Sequence, residues 1–166
     1  MKHFILILSI VLFVGLINVY DGNSASKESQ DLAVLSSRGD IGELTPEQVT
    51  ARENVGKYMD RYLIAGLKKQ RFNALLLNNK EEWTGTGYLL QVTIIALKEV
   101  SKKARFWGGK MAGANVLTLH YDLLDSQGKS LLSWDDKIGS TKSSRHCAQA
   151  LNKNAIKKIT SYFKEN

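Results

Sequence analysis

The chain has 166 residues, 43% hydrophobic and 23% charged, with a formal charge of +7. That length suits one domain with a core large enough to fold unaided. It has to fold that way, because a single cysteine, Cys147, excludes an intramolecular disulfide. In a cytoplasmic chain such a charge would suggest nucleic acid, but the opening residues point elsewhere.

Met1, Lys2 and His3 make a short positive start. Residues 4–20 are then nearly all Ile, Leu, Val and Phe, broken only by Ser9, Gly15 and Asn18. Small and polar residues follow, from Asp21 to Ser26. This is the order of a signal peptide, with cleavage frames after Ser24 or Ser26. The apolar run also nears the length of a spanning helix, about 17–25 residues, so residues 1–24 are read as a signal peptide or an uncleaved N-terminal anchor. Either places the rest of the chain outside the cytoplasm, in the periplasm or on the envelope. Removing residues 1–24 takes away one basic and one acidic side chain, Lys2 and Asp21, and leaves the excess unchanged. For an exported chain the fitting partners are an envelope protein or an anionic envelope surface, and no nucleic acid is expected. No cysteine follows the apolar run, which excludes lipid attachment at a mature N-terminal cysteine.

Residues 25–44, rich in Ser, Gly and acidic side chains, read as a flexible tether. Within it Leu32-Ala33-Val34-Leu35 is either a short strand or an apolar patch in a linker. Thr45-Pro46-Glu47-Gln48 then carries a capping-box pattern with proline at the first helical position. Val49, Val55, Met59, Tyr62, Leu63 and Leu67 recur at helical spacing, and Lys68, Lys69 and Arg71 suit the negative pole. A helix over 46–70 is predicted.

Residues 72–78 form a short apolar run ending in Asn78-Asn79-Lys80, a strand and turn. Over 88–97 the residues alternate. Tyr88, Leu90, Val92, Ile94 and Ala96 form an apolar face for the core, and the second face is mixed, as in a sheet covered on one side. The next regular alternation spans 116–124, with Leu117, Leu119, Tyr121 and Leu123 inward and Thr118, His120 and Asp122 outward. Asp125-Ser126-Gln127-Gly128 is a hairpin turn, and 129–138 is the partner strand, with Leu132 and Trp134 on one face. Ser143-Ser144 offers a cap for a last helix with the stripe Ala148, Leu151, Ala155, Ile159, Tyr162 and Phe163. The order gives an α+β fold, a mainly antiparallel sheet with both helices on one face, and a single domain over 45–166.

Few residues suit catalysis. Past the export segment only His120 and His146 remain, and His146 and Cys147 are helix neighbours pointing about 100° apart, which does not make a nucleophile–base pair. Cys147 reads as a small buried residue. Asp122, Asp125, Asp135 and Asp136 gather around one hairpin without the patterned spacing of a calcium loop, and two histidines with one cysteine make no zinc pattern. Gly108-Gly109-Lys110-Met111-Ala112-Gly113 lacks the ending of a phosphate loop. No cofactor is expected. One surface pattern stands out: Lys98, Lys102, Lys103, Arg105 and Lys110 surround Phe106 and Trp107. Cations interleaved with aromatics suit anionic headgroups or polymers, while the plain alternative is a basic connector.

The stretch from Gly87 through Gly139 resembles a family of bacterial envelope proteins known as domain of unknown function 4410. The similarity rests on Tyr88-Leu89-Leu90-Gln91-Val92-Thr93, on the glycine-containing segment 108–114, on Val116-Leu117-Thr118-Leu119-His120-Tyr121-Asp122, and on Gly128-Lys129-Ser130-Leu131-Leu132. It implies an exported α/β sandwich of a bacterium with an outer membrane, and no catalytic residues. The reading that results is a non-enzymatic periplasmic or envelope-associated binding or accessory module. Its alternatives are an exported hydrolase or metal-dependent enzyme using the hairpin acids and His120, and a polyanion or anionic-membrane binder acting through residues 98–110.

Overall fold

The computed structural model describes residues 29–40, 42–100 and 113–166. In chain order the elements are β1 (Asp31–Ser37), α1 (Pro46–Lys69), β2 (Asn73–Leu77), a 3-10 turn (Lys80–Glu82), β3 (Tyr88–Lys98), β4 (Asn115–Leu124), β5 (Ser130–Ser140) and α2 (Ser144–Glu165). The five strands form one sheet in the order β2-β1-β3-β4-β5. Both helices pack on one face of it, so the fold is α+β as the sequence implied. The export segment lies outside the described residues.

Both helix starts follow from their caps. The Gln48 backbone N–H donates to the Thr45 hydroxyl at 3.3 Å, and the Gln48 side-chain oxygen accepts from the Thr45 N–H at 2.8 Å, a complete capping box. At α2 the Ser143 hydroxyl accepts from the His146 N–H at 3.2 Å. Val55, Met59, Leu63 and Leu67 of α1 are buried, as are Cys147, Ala148, Leu151, Ala155 and Ile159 of α2. Val49, expected in the α1 stripe, is instead exposed. It lies in the first turn, before the buried stripe begins at Arg52. The helices are tied together by Asn152, fully buried, whose amide donates to the Met59 carbonyl at 2.7 Å.

Two expectations are corrected by β1. Residues 31–37 belong to no tether. They form a strand with Leu32 and Val34 buried, hydrogen-bonded on one edge to β2 and on the other to β3. The sheet is therefore mixed rather than mainly antiparallel. β1 runs parallel to both its neighbours, while β3, β4 and β5 are antiparallel. Parallel neighbours need long crossovers: α1 supplies the one between β1 and β2, and residues 78–87 return the chain from β2 to β3.

That return covers the face opposite the helices. Leu77 and Leu89 are buried although neither belongs to the helix-side core, and Trp83 shares a small concavity with Ala33, Leu75 and Leu77. The second face is thus partly covered at the parallel end, where Leu75 stays exposed, and open at the antiparallel end. Gly87 lets the return segment enter β3 beside β1. Its φ is +70°, and a Cβ there would lie 2.6 Å from the Asp31 carbonyl oxygen.

A β-bulge changes one more assignment. The β3–β4 register shifts between Ile94 and Ala96, so that Ala96 pairs with Thr118 and Leu97 with Leu117. Leu97 thereby packs against the core and Ala96 is exposed, the reverse of strict alternation. On β4, Leu117, Leu119, Tyr121 and Leu123 all point inward and are fully buried. The Tyr121 ring stacks on Trp134 at 4.8 Å, and the Lys158 ammonium sits 4.4 Å from the Trp134 ring centre. Among the described residues no helix is long and apolar enough to cross a membrane.

Candidate functional site

The open half of the sheet is where outward residues of β3, β4 and β5 meet. The antiparallel register sets Thr93, His120 and Asp135 in one row and Gln91, Asp122 and Ser133 in the next. His120 and Asp122, two apart on β4, share that face. The His120 Nδ1 lies 2.6 Å from Asp135 Oδ1, and its Nε2 lies 2.8 Å from Asp122 Oδ2. The hairpin turn brings the acids together. Its Asp125 carboxylate accepts from the Gln127 and Lys129 N–H groups, each at 2.9 Å, with Gly128 at a φ of +79°.

Two carboxylates around one imidazole favour the cation, because only the imidazolium donates from both nitrogens. The Asp135 hydrogen bond is the main cause of a raised His120 pKa, and partial burial works against it. A group with a raised folded pKa stabilises the fold fully below its unfolded pKa, and that contribution fades as pH climbs through the folded value. The His120 ring protons should therefore titrate above the ordinary histidine range by NMR, and urea stability should fall as pH rises through that midpoint. His120→Gln should lose that slope. A midpoint at or below the ordinary range would mean that the two carboxylates do not hold the ring.

Both ring nitrogens of His120 are engaged by carboxylates. The cluster lies on an open sheet face with the His120 side chain 35% exposed, and it lines neither the concavity at Trp83 nor the one at the C-terminal ends of the two helices. The other acids point elsewhere. Asp125 serves its turn, and Asp136 accepts from the Asn154 amide of α2 at 3.2 Å. Among the described residues no group of three His, Cys, Asp or Glu side chains is placed to hold a metal ion. Cys147 is fully buried, and burial pushes its thiol up, away from the thiolate; neighbouring His146 is exposed.

Of the basic and aromatic set Lys98, Lys102, Lys103, Arg105, Phe106, Trp107 and Lys110, only Lys98 lies within the described residues. It is exposed at the end of β3, paired with Val116. The points where this segment leaves and rejoins the sheet are pinned by Asn115. Asn115 is 1% exposed; its side-chain oxygen accepts from the Val100 N–H at 2.9 Å, and its amide donates to the Ser140 carbonyl at 3.3 Å. The Ser144 hydroxyl donates to the Glu99 carboxylate alongside. An asparagine at the first position of a strand gives no local signal of that role.

Comparison with known proteins agrees with this architecture. A family model described as "Domain of unknown function (DUF4410)" matches residues 17–138. Among solved structures, the PelC dodecamer from Paraburkholderia phytofirmans is similar at 13% identity. The match covers 76% of this chain and 85% of that one, with a TM-score of 0.52. A putative neuraminyllactose-binding hemagglutinin homolog from Helicobacter pylori matches at 10% identity over 81% of this chain and 86% of its own, with a TM-score of 0.46. No curated protein sequence matches the chain.

Proposed function

This chain belongs to the DUF4410 family of domains of unknown function, and we propose that it is a non-enzymatic, envelope-associated binding or accessory module. The observation that carries this reading is the state of His120. The residue best suited to chemistry on the hairpin is held by two carboxylates on an open face, where a hydrolase needs a free base in a concave, water-excluding site. The charged, apolar and small-residue order of residues 1–26 supports export. The cations and aromatics of residues 98–110 are where the domain would touch an anionic envelope surface, each basic side chain adding about 1 kcal/mol next to an anionic bilayer.

Fractionation of the producing cell with intact-mass analysis tests this reading. The protein is expected in the envelope or periplasm with a mass starting near Ala25 or Lys27. A full-length mass in the membrane fraction would mean that residues 1–24 are an anchor. A mature form released from membranes by high salt would mean that the basic surface holds it there, since salt shortens the reach of charge. Recovery of full-length protein from the cytoplasm alone would overturn the proposal.

A further inference from the structure

Of the strands at the two edges of the sheet, β5 is guarded and β2 is not. β5 carries Asp135, Asp136 and Lys137, and charges on an edge strand deter another strand from pairing with it. β2, Asn73-Ala74-Leu75-Leu76-Leu77, has neither charge nor proline, and its ladder with β1 runs without a bulge. Successive side chains alternate faces, so Leu75, 64% exposed, and Leu76, 40% exposed, lie open on opposite sides of the sheet. An edge strand with large apolar side chains open on both faces invites another strand.

The backbone of β2 has the same open side. The Asn73 N–H donates to the Gln30 carbonyl at 2.9 Å, and the direction of the backbone groups alternates along a strand. Asn73, Leu75 and Leu77 therefore turn their groups toward β1, and Ala74 and Leu76 turn theirs outward. Among the described residues nothing bonds the N–H or carbonyl of Ala74 or Leu76. The next outward donor, the Asn78 N–H, is taken by the Glu82 carboxylate at 2.9 Å, which closes the edge at that end.

We propose that β2 pairs with β2 of a second copy of this chain, antiparallel about a two-fold axis at Leu75. Ala74 of each copy then exchanges both backbone hydrogen bonds with Leu76 of the other, which uses every outward group of the strand. Leu75 meets its own copy at the axis as a non-hydrogen-bonded pair, the closer kind. The ends of β2 select this direction. Lys68, Lys69 and Arg71 precede the strand, Lys80, Glu81 and Glu82 follow it, and all six are exposed. None of them has an ion-pair partner among the described residues. Antiparallel pairing lays the basic end of each copy beside the end where two acids outweigh one lysine, whereas parallel pairing would set like charges together. The chain carries a charge of +7, which holds copies apart elsewhere, and uncharged β2 is where they meet without that repulsion. With the β5 edge charged, the pairing stops at a closed dimer.

Sedimentation velocity of the full chain, in mild detergent so that the apolar residues 4–20 do not associate, is expected to show a monomer–dimer equilibrium. Leu76→Pro removes an outward N–H that no bond within the chain uses, and Leu75→Lys sets like charges at the axis. Each should raise the dimer dissociation constant by about tenfold or more and leave the urea midpoint unchanged. Leu75→Cys under an added mild oxidant tests the register. Opposed residues of a non-hydrogen-bonded pair have Cα atoms about 4.5 Å apart, within disulfide reach, so this variant should give a disulfide-linked dimer. Val49→Cys, exposed on α1, should stay unlinked, and buried Cys147 takes no part. A chain that is monomeric at every concentration, the result if residues 1–28 or a strand of another protein take the edge, would overturn the proposal. So would a dimer that Leu75→Lys leaves intact, or Val49→Cys linking as readily as Leu75→Cys.

Discussion

A fragment of residues 45–166, the domain that the local sequence signals delimit, is expected not to fold. It lacks β1, and β1 is an interior strand of the sheet. Its loss leaves β2 with no hydrogen-bonded neighbour and strips β3 of one edge. It also removes Leu32 and Val34, at 1% and 0% exposure. Each buried aliphatic side chain is worth about 1.5–3 kcal/mol, a large share of the roughly 5–15 kcal/mol that holds a domain together. Arg38 goes as well. Its guanidinium lies 2.8 Å from the Asp60 carboxylate, which is 10% exposed on α1, and a buried carboxylate deprived of its partner is strongly destabilising. The fragment should show no cooperative urea transition and no fixed aromatic environment by near-ultraviolet circular dichroism. A fragment of residues 29–166 should show both. A cooperative transition of similar midpoint in the shorter fragment would mean that β1 is an accessory strand.

A local reading leaves β1 open between strand and linker because of how it is paired. Asp-Leu-Ala-Val-Leu-Ser-Ser is short and flanked by polar residues, and its partners are Asn73–Leu77 and Tyr88 onward, reached only through a crossover helix. Antiparallel neighbours joined by a tight turn announce themselves by alternation and turn residues. Thus β4, its hairpin and β5 were legible, as were both helices through their caps and stripes. The bulge at Ile95 and the burial of Leu89 were not, because each depends on what another segment does. The candidate site divides in the same way. His120 and Asp122 share a face by the period of the strand, and the turn register adds Asp135. The concavity lined by Gln30, Arg71 and Thr160 joins three segments that no spacing in the sequence links.

Leu151→Ala is expected to be the most costly single truncation in α2. Leu151 is fully buried in the shared core of both helices and the sheet. Its neighbour Asn152 fixes α2 to the Met59 carbonyl, so the helix cannot slide to fill the space left behind. Leucine-to-alanine changes at such sites cost about 2–5 kcal/mol, the upper end applying where surroundings do not collapse. Lys153, exposed on the next face of the same helix, provides the control, and its change to alanine should stay within about 0.5 kcal/mol. Urea melts at one temperature should show a lower midpoint for Leu151→Ala with an unchanged denaturant slope, the signature of lost stability rather than an altered unfolded state. Similar midpoints for the two variants would place the wrong face of α2 against the sheet, and with it the packing of Phe163 on Tyr88 and Phe72.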